Sequence, residues 1–232
     1  MSMFLNRRAL QAEYFDSPER TPSEVAEGYA MLNHMNRIFL LTDPYRRYLP
    51  RLLGPERCRS LSFLDLGAGD GWLGKELSRW AATRGWNWRF TNLELNPWAM
   101  TGNPNGRGIT GSALALPFRE NSFDVVIASQ MAHHLDTEDD VCQHFREAWR
   151  VTRDVVFLND VHRNIALYAV VWFLLQLHPY PSHFRTDGTL SVLRSWRVSE
   201  WRALATRAGI PNARVWLYNA ARVMLQARKI SA

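Results

Sequence analysis

The sequence predicts an α/β fold: a doubly wound, mostly parallel sheet with one reversed strand near the C-terminus, preceded by a helical segment. Three observations lead there. Short β-branched runs alternate with stretches of helical periodicity between Leu61 and Leu158. One of those runs, Leu61 to Leu66, passes directly into Gly67, Gly69 and Gly71 and then into a helical pattern. Two last runs, Arg214 to Tyr218 and Arg222 to Ala227, are joined by so short a link that they must be antiparallel neighbours.

In chain order, Val25, Tyr29, Leu32, Met35 and Phe39 fall at helical spacing after Thr21-Pro22-Ser23-Glu24, which supplies a capping oxygen and a first-turn carboxylate. This predicts an amphipathic helix from Ser23 to Leu41. A second helix, Pro44 to Leu53, stops at Gly54-Pro55. The strand Leu61 to Leu66, a helix from Trp72 to Arg84 and a strand from Asn87 to Leu93 form a β-α-β unit. Strands follow at Phe123 to Ser129 and Asp154 to Leu158, separated by a helix from Asp139 to Val151; the helix Ser199 to Ala208 then leads into the final strand pair.

A chain of 232 residues, 47% apolar and without low-complexity tracts, has enough core for one domain with additions. The two cysteines, Cys58 and Cys142, lack metal-type spacing and read as buried small hydrophobes. The opening M-S-M-F-L-N-R-R has no secretory apolar region, so a reducing cytoplasm is expected. The formal charge is +6, almost all of the basic side chains being scattered arginines rather than a cluster, which argues against a nucleic-acid partner. The most apolar stretch, Ile165 to Leu177, would reach only about 20 Å as a helix against the ~30 Å of a bilayer core. It cannot span a membrane, but peripheral contact stays open. Nothing in the sequence specifies an oligomer or a metal site.

The segment Phe63 to Gly74, F-L-D-L-G-A-G-D-G-W-L-G, places glycines where backbone must approach a ligand and where a helix start offers free N–H groups. The spacing is G-x-G-x-G, and Asp65 stands just before the first glycine. A carboxylate there repels a pyrophosphate and suits an ammonium group. Glu94, at the end of the next strand, is placed to accept from ribose hydroxyls.

With D-L-G-A-G-D-G, the acidic L-E-L and the block G-S-A-L-A-L-P-F-R-E-N-S-F-D-V-V-I-A-S-Q-M-A-H-H-L from Gly111 to Leu135, the chain resembles the class I S-adenosylmethionine-dependent methyltransferases, most closely those acting on quinones, polyketides and other small molecules. The resemblance covers about Phe63 to Asp160 by motif. It implies a Rossmann-like, seven-stranded sheet, a core over residues 56–232, an N-terminal helical lid over residues 1–55, and a variable acceptor-pocket segment at about 162–198. It implies S-adenosyl-L-methionine as cofactor, held by Asp65, Gly67, Ala68, Gly69, Gly71, Glu94, Leu95, Ser112, Ala113, Leu114, Ser129 and Gln130, with Arg37 reaching the cofactor carboxylate. Ser112 departs from the aspartate usual at its position, which replaces a charged contact to the adenine amino group with a neutral one.

Methyl transfer is an in-line displacement at an activated carbon, so orientation is the main requirement and no nucleophilic residue is needed. A hydroxyl acceptor gains from a general base, and His133 and His134, just past the fourth strand, are the candidates. His162, Arg163 and Trp172 are the candidate acceptor contacts, and the aromatic and aliphatic content of 165–195 points to an apolar acceptor; the resemblance implies a small phenolic, quinol or polyketide-like hydroxyl, O-methylated rather than C-methylated. The alternatives are a noncatalytic cofactor-binding partner and an RNA methyltransferase. Against the second, the position of an N/D-P-P-Y-type tetrad reads S-Q-M-A-H-H.

Overall fold

The computed structural model describes residues 7–17, 19–100 and 107–229. Residues 1–6 of the expected N-terminal segment, with its M-S-M-F-L-N opening, and residues 230–232 of the expected core lie outside them. Among the described residues one sheet is formed by β1 (Leu61–Leu66), β2 (Trp88–Glu94), β3 (Arg107–Thr110), β4 (Phe123–Ser129), β5 (Thr152–Val161), β6 (Arg214–Tyr218) and β7 (Arg222–Arg228). Their order is β3-β2-β1-β4-β5-β7-β6. β1 to β5 pair in parallel, and β7 runs antiparallel to both β5 and β6. The expected Rossmann-like sheet with one reversed strand is therefore present.

The strand order reverses direction between β1 and β4, and in open α/β sheets the ligand crevice lies beyond the carboxyl ends of the strands at that switch. Alternation along the strands builds a core on each face. Leu64, Leu66, Val126 and Ala128 pack with α4 (Glu138–Val151) and α7 (Val198–Arg207), while Phe63, Val125 and Ile127 pack with α2 (Asp43–Leu53) and α3 (Trp72–Ala82). These side chains are essentially inaccessible to solvent. Truncating one such leucine to alanine typically costs about 2–5 kcal/mol.

A third cluster joins α1 (Pro22–Ile38), α5 (Ile165–Gln176) and α6 (Ser182–Arg194) through Met35, Leu167, Val171, Leu175, Phe184 and Val192. α1 starts with the expected capping oxygen: Thr21 accepts from the Glu24 N–H, and the Glu24 carboxylate returns a bond to the Thr21 N–H. Asn164 caps α5 by accepting from the Leu167 N–H.

Three features differ from the sequence-based expectation. β3 is four residues long, too short for a periodicity signal, and is defined by pairing with β2. α6 lies where no helix was expected, because Gly188, Thr186, Thr189 and Ser191 lower its intrinsic propensity and burial of Phe184, Leu190 and Val192 supplies its stability. Cys58, expected to be buried, is exposed after the turn that follows α2, whereas Cys142 is buried in the core.

Candidate active site

A cavity of about 820 Å³ opens beyond the carboxyl ends of β1, β2 and β4 and runs between the sheet and the α1, α5 and α6 helices. It lies toward the upper end of the ~300–1,000 Å³ range of small-molecule sites. Its two ends are built differently.

At one end the lining is backbone and short side chains: Asp65, Gly67, Ala68, Gly69, Glu94, Leu95, Ser112, Ala113, Leu114, Ser129 and Gln130, all expected cofactor residues. Gly67 and Gly69 have φ of +64° and +57°, and a Cβ on Gly69 would come within 2.4 Å of the Tyr29 ring. Gln130 takes a left-handed φ of 54° at the end of β4, and its N–H donates to the Asn159 carbonyl at 2.9 Å. Such a conformation in a non-glycine residue is held by surrounding structure and concentrates at ligand sites.

Asp65 is buried, its Oδ2 has no hydrogen-bond partner, and burial, reinforced by the Glu94 charge, pushes its carboxyl up to about 8. A buried carboxylate in this position lacks a cationic partner. An ammonium group supplies one, so the residues present fit S-adenosylmethionine.

Glu94 has a second duty. Its Oε2 accepts from the Gly69 N–H at 2.8 Å and its Oε1 from the Leu95 and Asn96 N–H groups at 2.8 and 3.1 Å. Of about four acceptor directions on a carboxylate, three are engaged. One hydroxyl fits directly at Oε2, and a bidentate grip requires one of the two N–H bonds to Oε1 to be released. The Ser112 hydroxyl is also drawn inward, accepting from the Leu114 N–H at 3.1 Å and closing its own turn.

At the other end the lining is a network of charged side chains on an apolar wall. His133 is buried at 3% exposure, and its Nδ1 lies 2.7 Å from Asp160 Oδ1. Asp160 also accepts from the His133 and Val161 N–H groups. Burial alone would raise its pKa, but the His133 interactions and these backbone bonds hold it below the usual carboxylate range. An ionised Asp160 places the His133 proton on Nδ1 and leaves Nε2 as the acceptor. Nε2 stands 3.7 Å from Glu13 Oε1, too far for a hydrogen bond.

His134 Nδ1 pairs with Asp16 at 2.8 Å. Partial loss of solvent at the cavity wall would lower its pKa, but the Asp16 hydrogen bond and the Glu13 and Asp16 charges raise it to about 9. His134 is therefore an imidazolium at neutral pH. Buried Arg194 fixes the turn carrying both histidines by donating to the His133 and His134 carbonyls, each at 3.2 Å, and to Asp16 at 2.6 Å. One ligand-type atom each from Glu13, His133 and His134 lies within 4.8 Å of the others. A metal ion there would have to displace the proton that the Asp16 and Glu13 charges favour on His134.

The remaining expected residues fall elsewhere. Gly71 is the left-handed N-cap of α3 and does not line the cavity. Arg37 is exposed, with its guanidinium 5.6 Å from the Trp72 ring centre. Arg163, expected as an acceptor contact, is buried and donates to the Ser195 carbonyl and Glu200, each at 2.5 Å, tying β5 to α7. His162 accompanies it outside the cavity, at a bridge to Trp196 and beside the Asn164 amide. Trp172 is 51% exposed on the outer side of α5, because helical periodicity turns Leu167, Val171 and Leu175 inward instead.

Residues that sequence reasoning missed are Tyr29 and Asn33 on α1, Glu13, Asp16, Asp160, Asp187 and Arg194. Tyr29 covers Gly69, and the Asn33 amide donates to Asp70 at 2.6 Å. Asp160 had a signal, as the acidic residue ending a strand next to the one that delivers the histidines. The others are carried by segments distant in sequence, without a motif.

Comparison with known proteins gives a consistent picture. A family model described as a methyltransferase domain matches residues 64–158. The demethylmenaquinone methyltransferase of Roseiflexus sp. (strain RS-1) is 30% identical over 176 residues, spanning 72% of this chain and 68% of that protein. Its counterpart from Roseiflexus castenholzii is 30% identical over 149 residues, 62% of this chain, and the match spans 57% of that protein's length. Among solved structures, the plantazolicin methyltransferase BpumL in complex with SAH shares the fold with a TM-score of 0.67, covering 92% of this chain and 93% of its own, at 11% identity.

Proposed function

The chain belongs to the class I S-adenosylmethionine-dependent methyltransferases, and from that premise we propose that it methylates a small, largely apolar acceptor through a phenolic or quinol-type hydroxyl. The observation that carries the cofactor half of this reading is the buried, unpartnered carboxylate of Asp65 beside the glycine loop. When bound, S-adenosylmethionine supplies an already activated methyl group.

Asp65 would hold the cationic amino group, whose charge would favour the ionised carboxylate. Glu94 accepts from the ribose, while Ser112 and the Ala113–Leu114 backbone border the adenine. Tyr29 and Asn33 of α1 close over the glycine loop, which supports a lid role for α1, while α2, expected in the same lid, packs into the core against Phe63, Val125 and Ile127.

On the acceptor side, Leu167, Val171, Leu175 and Phe184 form the apolar wall, giving the 162–198 segment its pocket role. His133, oriented by Asp160, would accept the hydroxyl proton at Nε2, leaving the oxygen to take the methyl group that a bound cofactor would release from its sulfur. His134, held protonated by Asp16, is unsuited to be a base and instead supplies positive charge next to the forming phenolate. The 30% identity to demethylmenaquinone methyltransferases supports a quinol-like ring; a His133 ring oriented by Asp160 suits a group that gives up a proton, which supports oxygen over carbon. A reducing cytoplasm is the expected setting, with both thiols unpaired.

Calorimetric titration with S-adenosylmethionine and S-adenosylhomocysteine, on the wild type and on Glu94→Ala, tests the first half. Micromolar binding that Glu94→Ala weakens by roughly tenfold, about one charge-assisted hydrogen bond, is expected. Labelled methyl uptake by a panel of phenols and quinols, with the position read by NMR, tests the second. Binding without turnover on any acceptor would favour a noncatalytic partner, a reading motivated by the inward-turned Ser112 hydroxyl.

A further inference from the structure

α5 reverses the rule for surface helices. Its twelve residues, I-A-L-Y-A-V-V-W-F-L-L-Q, include no charged side chain. At about 100° per residue its exposed positions cover a continuous arc of roughly 160°. That arc holds Ile165, Val170, Trp172 and Phe173, with Ala166 and Ala169 between them and Gln176 the single polar member. Leu177, just past the helix end, extends it. Phe173 and Leu177 are 56% and 61% exposed, and Trp172 51%. A contiguous apolar surface of this kind marks an interaction site, unlike scattered surface hydrophobics.

The opposite side of the same helix supplies Leu167, Val171 and Leu175 to the cavity wall. A single apolar helix thus separates the cavity from the outside. At its C-terminal end Arg185 donates to Gln176, His178 stacks on Tyr180, and His34 of α1 meets the His178 ring edge-on at 5.5 Å, one turn before exposed Ile38. The whole chain carries +6.

We propose that α5 is an interfacial helix that lies in the surface of an anionic lipid bilayer, bringing the cavity wall against the phase in which an apolar acceptor is dissolved. Among the described residues no helix is long and apolar enough to cross a membrane. A short helix with aliphatic and aromatic side chains outward instead settles at the headgroup boundary, with tryptophan at the level where one face is wet. The Arg185 guanidinium at its rim then meets a lipid phosphate, and the +6 charge of the whole chain favours an anionic surface. A second copy of the chain is a poorer occupant. The strip is about 18 Å long and one helix wide, on the order of 200 Å² in projection, against ~800 Å² per partner in a stable interface.

The purpose given to α5 rests on the apolar-acceptor reading above, but docking is measurable without cofactor or acceptor. The full chain is co-sedimented with phosphatidylcholine vesicles with and without phosphatidylglycerol, alongside the double variant F173E/L177E. Neither substituted residue lines the cavity. Binding to the anionic vesicles, reduced by salt, and a loss of roughly tenfold or more in partitioning for the variant are expected. The variant's circular dichroism and S-adenosylmethionine affinity should match the wild type, separating lost docking from misfolding. Absence of vesicle binding at low salt, or equal partitioning of the two proteins, would overturn the proposal. So would light scattering that finds a dimer which the variant converts to monomers, since a second copy would then cover the patch. Vesicle binding by a protein that takes up no S-adenosylmethionine would support docking and sink the methyltransferase reading alone.

Discussion

The two ends of the cavity solve different physical problems. The glycine-loop end is drawn from the ends of β1, β2 and β4 and the turns after them, between Asp65 and Gln130, and works mainly through backbone: positive φ at Gly67 and Gly69, and three N–H groups gathered on Glu94. The histidine end is assembled from side chains far apart in sequence. Asp16 reaches His134 across 118 positions, Arg194 reaches Asp16 across 178, and Asp160 orients His133 across 27. Backbone recognition is local and tolerates only glycine at its tight points. The side-chain network exists only when α6, the segment before α1 and the end of β5 are all in place.

If the histidine end performs proton transfer, His133→Asn should lower turnover by about 10²- to 10⁴-fold while S-adenosylmethionine affinity stays within about twofold of wild type. Asparagine retains a donor for buried Asp160 and removes the Nε2 acceptor, so a large effect on kcat with a normal titration separates chemistry from folding. Equal turnover would return His133 to a structural role.

The cofactor end should respond in the opposite manner. Gly69→Val requires a β-branched side chain at φ +57° with its Cβ 2.4 Å from the Tyr29 ring, and should weaken cofactor binding by at least about 100-fold, around 2.7 kcal/mol. Circular dichroism should change little, because the glycine loop lies outside the core clusters. Unchanged affinity by calorimetry would mean that the cofactor does not approach this loop.

A smaller effect distinguishes charge from shape. Asp65→Asn should cost roughly ten- to a hundredfold in cofactor affinity, one charge-assisted hydrogen bond of about 1.5–3 kcal/mol. Because the carboxyl is raised to about 8 and a bound ammonium group favours its ionised form, wild-type binding at pH 7 should release a proton, visible as a buffer-dependent binding enthalpy. Asp65→Asn should abolish that release.

The smallest expected effect is on stability. His134 is raised to about 9 in the fold, so its contribution is complete below the unfolded value near 6.5 and is lost as pH rises through 9. The neutral form of Asp65, also favoured by the fold, has the same sign up to about pH 8. Tm of the cofactor-free protein should therefore fall between about pH 6.5 and 9, with a shallower slope in His134→Gln. A rising Tm over that range would contradict the Asp16–His134 pairing.

The cofactor end was legible because each of its signals is short-range. A strand running into G-x-G-x-G, a carboxylate two residues before the first glycine, and an acid ending the next strand are all visible in one dimension. The histidines were visible too, but their difference was not, since Asp160 and Asp16 come from unrelated segments and give one ring a free Nε2 and the other a proton. His162, Arg163 and Trp172 illustrate the opposite failure. They sit in the segment that builds the acceptor wall, yet an ion pair with Glu200 draws Arg163 inward, a bridge to Trp196 holds His162 outside the cavity, and helical phase turns Trp172 outward.

By itself the sequence determined the sheet, its one reversed strand, the glycine loop and the acidic partner at the end of β2. These follow from period-two and period-3.6 burial and from the φ that only glycine adopts cheaply, all properties of a few neighbouring residues. Tertiary structure alone decided which histidine keeps a free nitrogen, which face of α5 lines the cavity and which is left to its surroundings, and that α1 closes over Gly69. Those outcomes depend on contacts between segments separated by 27 positions in the case of Asp160 and His133 and by 118 in that of Asp16 and His134, whose energies exist only once the chain has brought them together.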